Sequence, residues 1–145
     1  MYKNILIATD GSELAAKAVT HGIALAKSMG AQITVVRVTE PFPFFATNPE
    51  VLTDTPASYA EHARAAANKT LAAAAAAART AEVPCEAVHV EHAHAYEAII
   101  QTAQEHRCGL IVMASHGRRG VSAIVLGSET VKVLTHSTIP VLVYR

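Results

Sequence analysis

The period of apolar and polar positions changes repeatedly along the chain. Asn4 to Thr9 (NILIAT) is an apolar run without alternation, the pattern of a strand buried on both faces of a parallel sheet. It stops at Asp10-Gly11-Ser12. Leu14, Ala18, Val19, Gly22, Leu25 and Ala26 then recur at helical spacing up to Met29. Ser12 can cap this helix, Glu13 suits its first turn, and Gly30 suits its C-terminal end. Ile33 to Val38 (ITVVRV) reads as a second strand. Ser58 to Thr80 is dominated by alanine, the best helix former, and reads as a long helix. Pro84 ends that region and Cys85 to Val90 forms a third strand. Tyr96 to Arg107 is a helix with Ile99, Ile100 and Ala103 on one face. Leu110 to Ala114 is a fourth strand, Ser115 to Leu126 a loop, Gly127 to His136 a helix and Pro140 to Tyr144 a fifth strand.

Strands alternating with helices predict one α/β domain over residues 1–145. Its sheet is parallel, its crossovers are right-handed and helices cover both faces. Ligands of such sheets bind beyond the carboxyl ends of the strands, where the strand order reverses. Two strand ends are polar and carry glycine, Thr9-Asp10-Gly11 and Ala114-Ser115-His116-Gly117. If strands 1 and 4 are neighbours, both ends face one crevice. The connection from Thr39 to Pro56 holds four prolines and three phenylalanines. It is long enough to be functional or mobile. Phe42-Pro43-Phe44-Phe45 within it suits either a partner-binding patch or a lid over the sheet or the pocket.

Charge narrows the function. Lys+Arg and Asp+Glu balance at 12 each among 145 residues. Nucleic-acid and membrane-surface binders usually carry a basic excess, so neither partner is expected. No apolar run approaches a membrane span; Leu71 to Ala78 is short and flanked by Lys69 and Arg79. Ile5-Leu6-Ile7-Ala8 is too short for a signal peptide. Cys85 and Cys108 match no zinc or redox spacing and read as buried thiols in a reducing compartment. A cytoplasmic protein is expected.

The informative segment is MASHGRRGVSAIVLGSET, Met113 to Thr130. Glycines let backbone N–H groups approach a phosphate closely, and a helix N-terminus offers unpaired donors and the positive end of a dipole. Ser128 adds a hydroxyl, and Arg118 and Arg119 add charge. The spacing is neither that of a P-loop nor GxGxxG. Asp10 is either a turn and capping residue or a ligand to a nucleotide or its Mg²⁺. His89, His92 and His94 could form a metal site, but no cysteine or carboxylate completes it at a recognised spacing, so exposed loop histidines are the plainer reading. His116 reads as a residue shaping the loop, not as a base.

With KNILIATDGSE, ITVVRV, LIVMASHGRRG, the LGS helix start and IPVLVYR, the whole chain resembles the universal stress protein family. That family's nucleotide-binding subgroup carries G-x2-G-x9-G-(S/T). On this chain the second glycine is Gly117, the third Gly127 and the hydroxyl residue Ser128. Ala114 stands at the first glycine position. If that position requires positive φ, alanine costs about 1 kcal/mol; if it needs only a small side chain, a methyl fits. The resemblance implies a three-layer, Rossmann-like α/β fold: an open parallel five-stranded sheet in the order 3-2-1-4-5.

It also implies an adenine nucleotide, ATP with Mg²⁺ foremost. Ala8, Thr9 and Asp10 would meet base, ribose or phosphate-bound metal, and Val38 would line the adenine pocket. Met113, Ala114, His116 and Gly117 would lie at the ribose, and Gly127, Ser128, Glu129 and Thr130 at the phosphates. Arg119 and Gly120 join this set. The expected role is a stress-response regulator with little or slow ATP hydrolysis, acting on an unknown protein partner. A slow ATPase and a nucleotide-free dimeric scaffold are the alternatives. In that strand order Pro140 to Tyr144 is an apolar edge strand that invites isologous homodimerisation.

Overall fold

In the computed structural model, residues 1–42, 55–117 and 125–145 are described. The elements follow in the order β1 (Asn4–Ala8), α1 (Glu13–Met29), β2 (Gln32–Thr39), α2 (Pro56–Thr80), β3 (Cys85–Glu91), α3 (Ala95–Glu105), β4 (Leu110–Ala114), α4 (Ser128–His136) and β5 (Val141–Tyr144). All strand pairs are parallel, and the sheet order is β3-β2-β1-β4-β5. The chain runs outward from β1 through β2 to β3, returns to pair β4 with the free side of β1, and ends on β5. The order therefore reverses between β1 and β4, where Ile5, Leu6 and Ile7 pair with Leu110, Ile111 and Val112.

The unbroken apolar runs are explained by burial on both faces. Successive strand residues point to opposite sides. Ile5, Ile7, Ile33, Val35, Leu110 and Val112 meet Val19, Ile23 and Ala26 of α1 and Leu71, Ala74 and Ala78 of α2. Leu6, Ala8, Val36, Ile111 and Met113 meet Ile99 and Ala103 of α3 and Val133 of α4. Of the many alanines in α2, Ala67, Ala74 and Ala78 are buried with Leu71 at helical spacing. The exposed ones supply helix propensity.

The termini follow local chemistry. Ser12 Oγ accepts from the Ala15 N–H, and Gly30 ends α1 at φ 63. Thr55 caps α2 by accepting from the Ser58 N–H, with Pro56 in the first turn, so that helix begins slightly earlier than the alanine pattern indicates. The expectation that α3 runs to Arg107 is corrected: the helix ends at Glu105. Arg107 is left-handed at φ 52, and this reversal brings Cys108 into the core, where its N–H donates to the Ala103 carbonyl (2.8 Å). Cys108 is buried and Cys85 only half-buried. Burial pushes both thiols up from their ordinary value. Among the described residues no helix is long and apolar enough to cross a membrane.

A buried polar knot fixes the start of β1. Asn4 Nδ2 donates to Thr34 Oγ1 (3.0 Å) and to the His106 carbonyl (3.0 Å), and the Asn4 carbonyl accepts from Gly109 (3.0 Å). One side chain thus ties β1 to β2 and to the turn entering β4. Asn4→Ala leaves the fully buried Thr34 hydroxyl without this partner. It is expected to lower stability by about 1–3 kcal/mol, seen as a lower urea midpoint at unchanged m-value.

Candidate functional site

The carboxyl ends of β1 and β4 build the site. Beyond Ala8 the Thr9 N–H still pairs with the Val36 carbonyl (3.0 Å). Thr9 Oγ1 then accepts from Gly11 (3.3 Å), and Asp10 Oδ1 accepts from the Ser12 N–H (2.9 Å). Gly11, at φ 80, makes this turn possible. Asp10 therefore does hold a turn, and its carboxylate also faces the other loop.

At the β4 end the Ser115 N–H donates to the Tyr144 carbonyl (2.7 Å), and the Gly127 N–H donates to the Ser115 carbonyl (2.7 Å). Thr130 Oγ1 donates to the Ala114 carbonyl (3.0 Å). These bonds fasten the start of α4 to the end of β4. Gly127, at φ −62, is the N-cap and brings no side-chain cap to the helix. Gly127, Ser128, Glu129 and Thr130 at the start of α4 line the space between the two strand ends.

The two motif glycines are needed for space, not for an unusual backbone. A Cβ on Gly117 would collide with Asp10 Oδ2, and one on Gly127 would lie 3.1 Å from His116 Cα and 3.4 Å from the Ser115 carbonyl oxygen. Ala114 resolves as the small-side-chain case. It ends β4 without positive φ, and its methyl packs with Ala15 and Ala18 of α1.

A cleft of about 630 Å³ opens here. Ala8, Thr9, Asp10, Val38, Met113, Ala114, His116, Gly117, Gly127, Ser128, Glu129 and Thr130 all line it. Arg119 and Gly120, with Arg118, lie outside the described residues. The side chains divide in role. The Thr130 hydroxyl is buried and committed to Ala114. Glu129 turns to α3, where Oε2 accepts from the Tyr96 N–H (2.9 Å), while Oε1 pairs with Lys132 Nζ of its own helix (3.1 Å). Val38 and Met113 contribute apolar walls. His116 Nδ1 lies 3.2 Å from Ser115 Oγ, a local contact that suits loop shaping.

The cleft also has walls that sequence reasoning missed. Ala95 and Ile99 of α3 close one side, and Tyr59, His62, Ala63 and Ala66 of α2 close another. The α2 positions recur at i, i+3, i+4 and i+7, one face of a helix. Arg37, 7% exposed, lines the floor. A charged residue inside ITVVRV was the available signal. Phe42 stacks edge-on against Tyr59, centroids 5.5 Å apart, so the β2–α2 connection begins beside the cleft. Residues 43–54 of that connection lie outside the described residues.

The histidines do not assemble a metal site. His92 Nδ1 accepts from the His94 N–H (2.9 Å), and His92 Nε2 lies 3.7 Å from Glu97. His89 shares a hydrogen bond with Thr39 Oγ1 (2.7 Å). Burial, then Arg64, hold His89 below the ordinary imidazole value, against the opposing pull of Glu91. Among the described residues no group of three His, Cys, Asp or Glu is placed to hold an ion.

The contact of Gly117 with Asp10 can be isolated. Gly117→Ala is expected to destabilise the parent by about 1 kcal/mol, through displacement of the carboxylate from the Ser12 N–H. In an Asp10→Ala background the loss should be smaller, giving a coupling of about 0.5 kcal/mol or more in a denaturation double-mutant cycle. Additive losses would show that the two loops do not press on each other.

Comparison with known proteins agrees with this fold. The model of the universal stress protein family matches residues 1–145. A universal stress protein encoded in the QAH/OAS sulfhydrylase 3' region of Thermus aquaticus is 33% identical over 147 residues, spanning all of both chains. The solved structure of hypothetical protein MJ0577 superposes with a TM-score of 0.82 at 24% identity, covering 99% of this chain and 96% of that one. A universal stress protein solved in complex with cAMP superposes with a TM-score of 0.73 at 24% identity, covering 99% and 97%. With a match over its entire length and a full-length relative at this identity, the chain belongs to the universal stress protein family.

Proposed function

We propose that this protein binds an adenine nucleotide in the cleft between the β1 and β4 ends and acts as a regulatory, stress-response protein. The observation that carries the reading is the uncapped N-terminus of α4. Gly127 gives it no side chain, it is hydrogen-bonded to the end of β4, and its first residues line a cleft large enough for a nucleotide. Exposed helix N–H donors and the dipole favour a phosphate there. The apolar walls from Ala8, Val38, Met113 and Ile99 suit a base and ribose. A family member of the same fold has been solved with cAMP, which supports the choice of adenine.

ATP is one such ligand. A Mg²⁺ ion would arrive on its phosphates and neutralise part of their charge. Asp10, whose carboxylate faces Gly117, would approach that ion, which would rely on the phosphates for its remaining ligands. Binding rather than turnover is the proposed activity. The carboxylate–histidine pairs His92–Glu97 and His106–Glu86 stand outside the cleft walls, so neither can activate a water there. Occupancy would act on a protein partner through the connection that starts at Phe42.

The second part of the proposal is a homodimer through β5. This strand is hydrogen-bonded to β4 on one side and forms the sheet edge on the other. Leu142 on it and Val131 and Leu134 on α4 are apolar and exposed. A second copy pairing isologously would cover them.

Calorimetric titration with Mg-ATP tests the site. Micromolar binding by the parent is expected, with loss in Gly127→Asp, whose carboxylate would stand where the phosphate is received. A parent that binds no nucleotide would leave the scaffold reading. ATP turnover well above background, abolished in Asp10→Ala, would make the protein an ATPase. Sedimentation at micromolar concentration is expected to give a dimer; a monomer would remove β5 as the interface.

A further inference from the structure

Two helix N-termini, those of α3 and α4, meet at the rim of the cleft, and the chain already supplies an anion to one of them. His94, the N-cap of α3, contributes no side-chain hydrogen bond. Glu129, from the first turn of α4, takes that place: Oε2 accepts from the Tyr96 N–H at 2.9 Å. Glu129 also lines the cleft, beside the N–H groups proposed to receive phosphate. A ligand phosphate at α4 is therefore bound beside a fixed negative charge.

The other groups around this carboxylate offset it only in part. Lys132 Nζ is 3.1 Å from Oε1, with both side chains close to half exposed, so that pairing is weak. Lys132 also lies over the Tyr96 ring, 5.6 Å from its centroid, and His136 packs on the same ring. Glu97, in the first turn of α3, adds a further negative charge, with His92 3.7 Å away and His94 beside Tyr96. Among the described residues of the cleft wall, Asp10 and Glu40 are carboxylates as well, against the fixed cation Arg37.

From this arrangement we propose that Glu129 is a specificity-determining residue: it limits the negative charge the site accepts, so the cleft takes adenosine monophosphates, linear or cyclic, ahead of ATP. This rests on the adenine-nucleotide reading above. Each added phosphate brings charge toward α4 and increases repulsion from Glu129, while the base and ribose contacts stay the same. The partial exposure of Glu129 screens the effect, so discrimination is several-fold.

The test is calorimetric titration with cyclic AMP, AMP and ATP in EDTA, on the parent, Glu129→Gln and Lys132→Gln. The Gln amide oxygen can still accept from Tyr96, so α3 keeps its cap while the charge is lost. The parent should bind both monophosphates more tightly than ATP. Glu129→Gln should raise ATP affinity about fivefold and AMP affinity less than about twofold, as expected for one screened charge. Lys132→Gln uncovers the carboxylate and should weaken ATP more than AMP, which gives a readout even if the Glu129 variant folds poorly. An ATP-to-AMP ratio unchanged in both variants, or ATP as the tightest ligand of the parent, would overturn the charge limit while leaving the nucleotide site standing. Binding of no nucleotide by any of the proteins would overturn the site itself, and the charge limit with it.

Discussion

Everything at the functional end of this molecule depends on one pairing, that of β1 with β4. The first strand and one laid down about a hundred residues later lie side by side in the middle of the sheet. Because β2 and β3 extend one way and β5 the other, the connections leaving β1 and β4 diverge to opposite faces. α1 packs over one side, and α4 over the other. The gap between the two departing chains is the cleft. A sheet with the same strands in consecutive order would leave no such gap, since each connection would cross over its neighbour.

Within the gap, atomic space is the governing constraint. Gly117 yields to the Asp10 carboxylate, and Gly127 yields to the backbone of His116 and Ser115. Neither glycine has the positive φ that usually explains glycine at a turn; Gly11 and Gly30 do. The described ends of the two loops and the start of α4 therefore pack against one another. Its hydrogen-bond donors are aimed by contacts that lie mostly on the backbone, and backbone contacts are little altered by side-chain rotation.

Much of this was legible in the sequence because it follows from periodicity and punctuation. NILIA and LIVMA are buried on both faces and read as such without alternation. Ser12 and Gly30 cap α1 as their residue types suggest. The strand order and the pairing of particular loops depend on long-range packing, which no local pattern encodes; these came from resemblance to a family. The end of α3 was misread because helix propensity continues through His106 and Arg107, whereas the chain reverses there to bury Cys108. At the site, residue type was legible and direction was not. Glu129 sits in the helix turn expected, yet its carboxylate serves α3. The Thr130 hydroxyl is similarly spent on Ala114. The α2 wall was missed because alanine-rich helices read as packing, and Tyr59 and His62 reach the cleft only through the tertiary placement of that helix.

The hydrogen bonds at Ser115 have a thermodynamic consequence. Its N–H takes the last carbonyl of the edge strand, from Tyr144, and its carbonyl takes the N–H of Gly127 at the head of α4. One peptide segment thus stands between the sheet edge and the head of α4. Binding free energies linked in this way are reciprocal. Whatever factor an occupant of the cleft contributes to contacts along β5, those contacts return to the occupant's affinity. If the proposed nucleotide and the proposed β5 dimer both form, the protein would report ligand concentration as a degree of assembly, and would bind more or less tightly as its own concentration rose or fell.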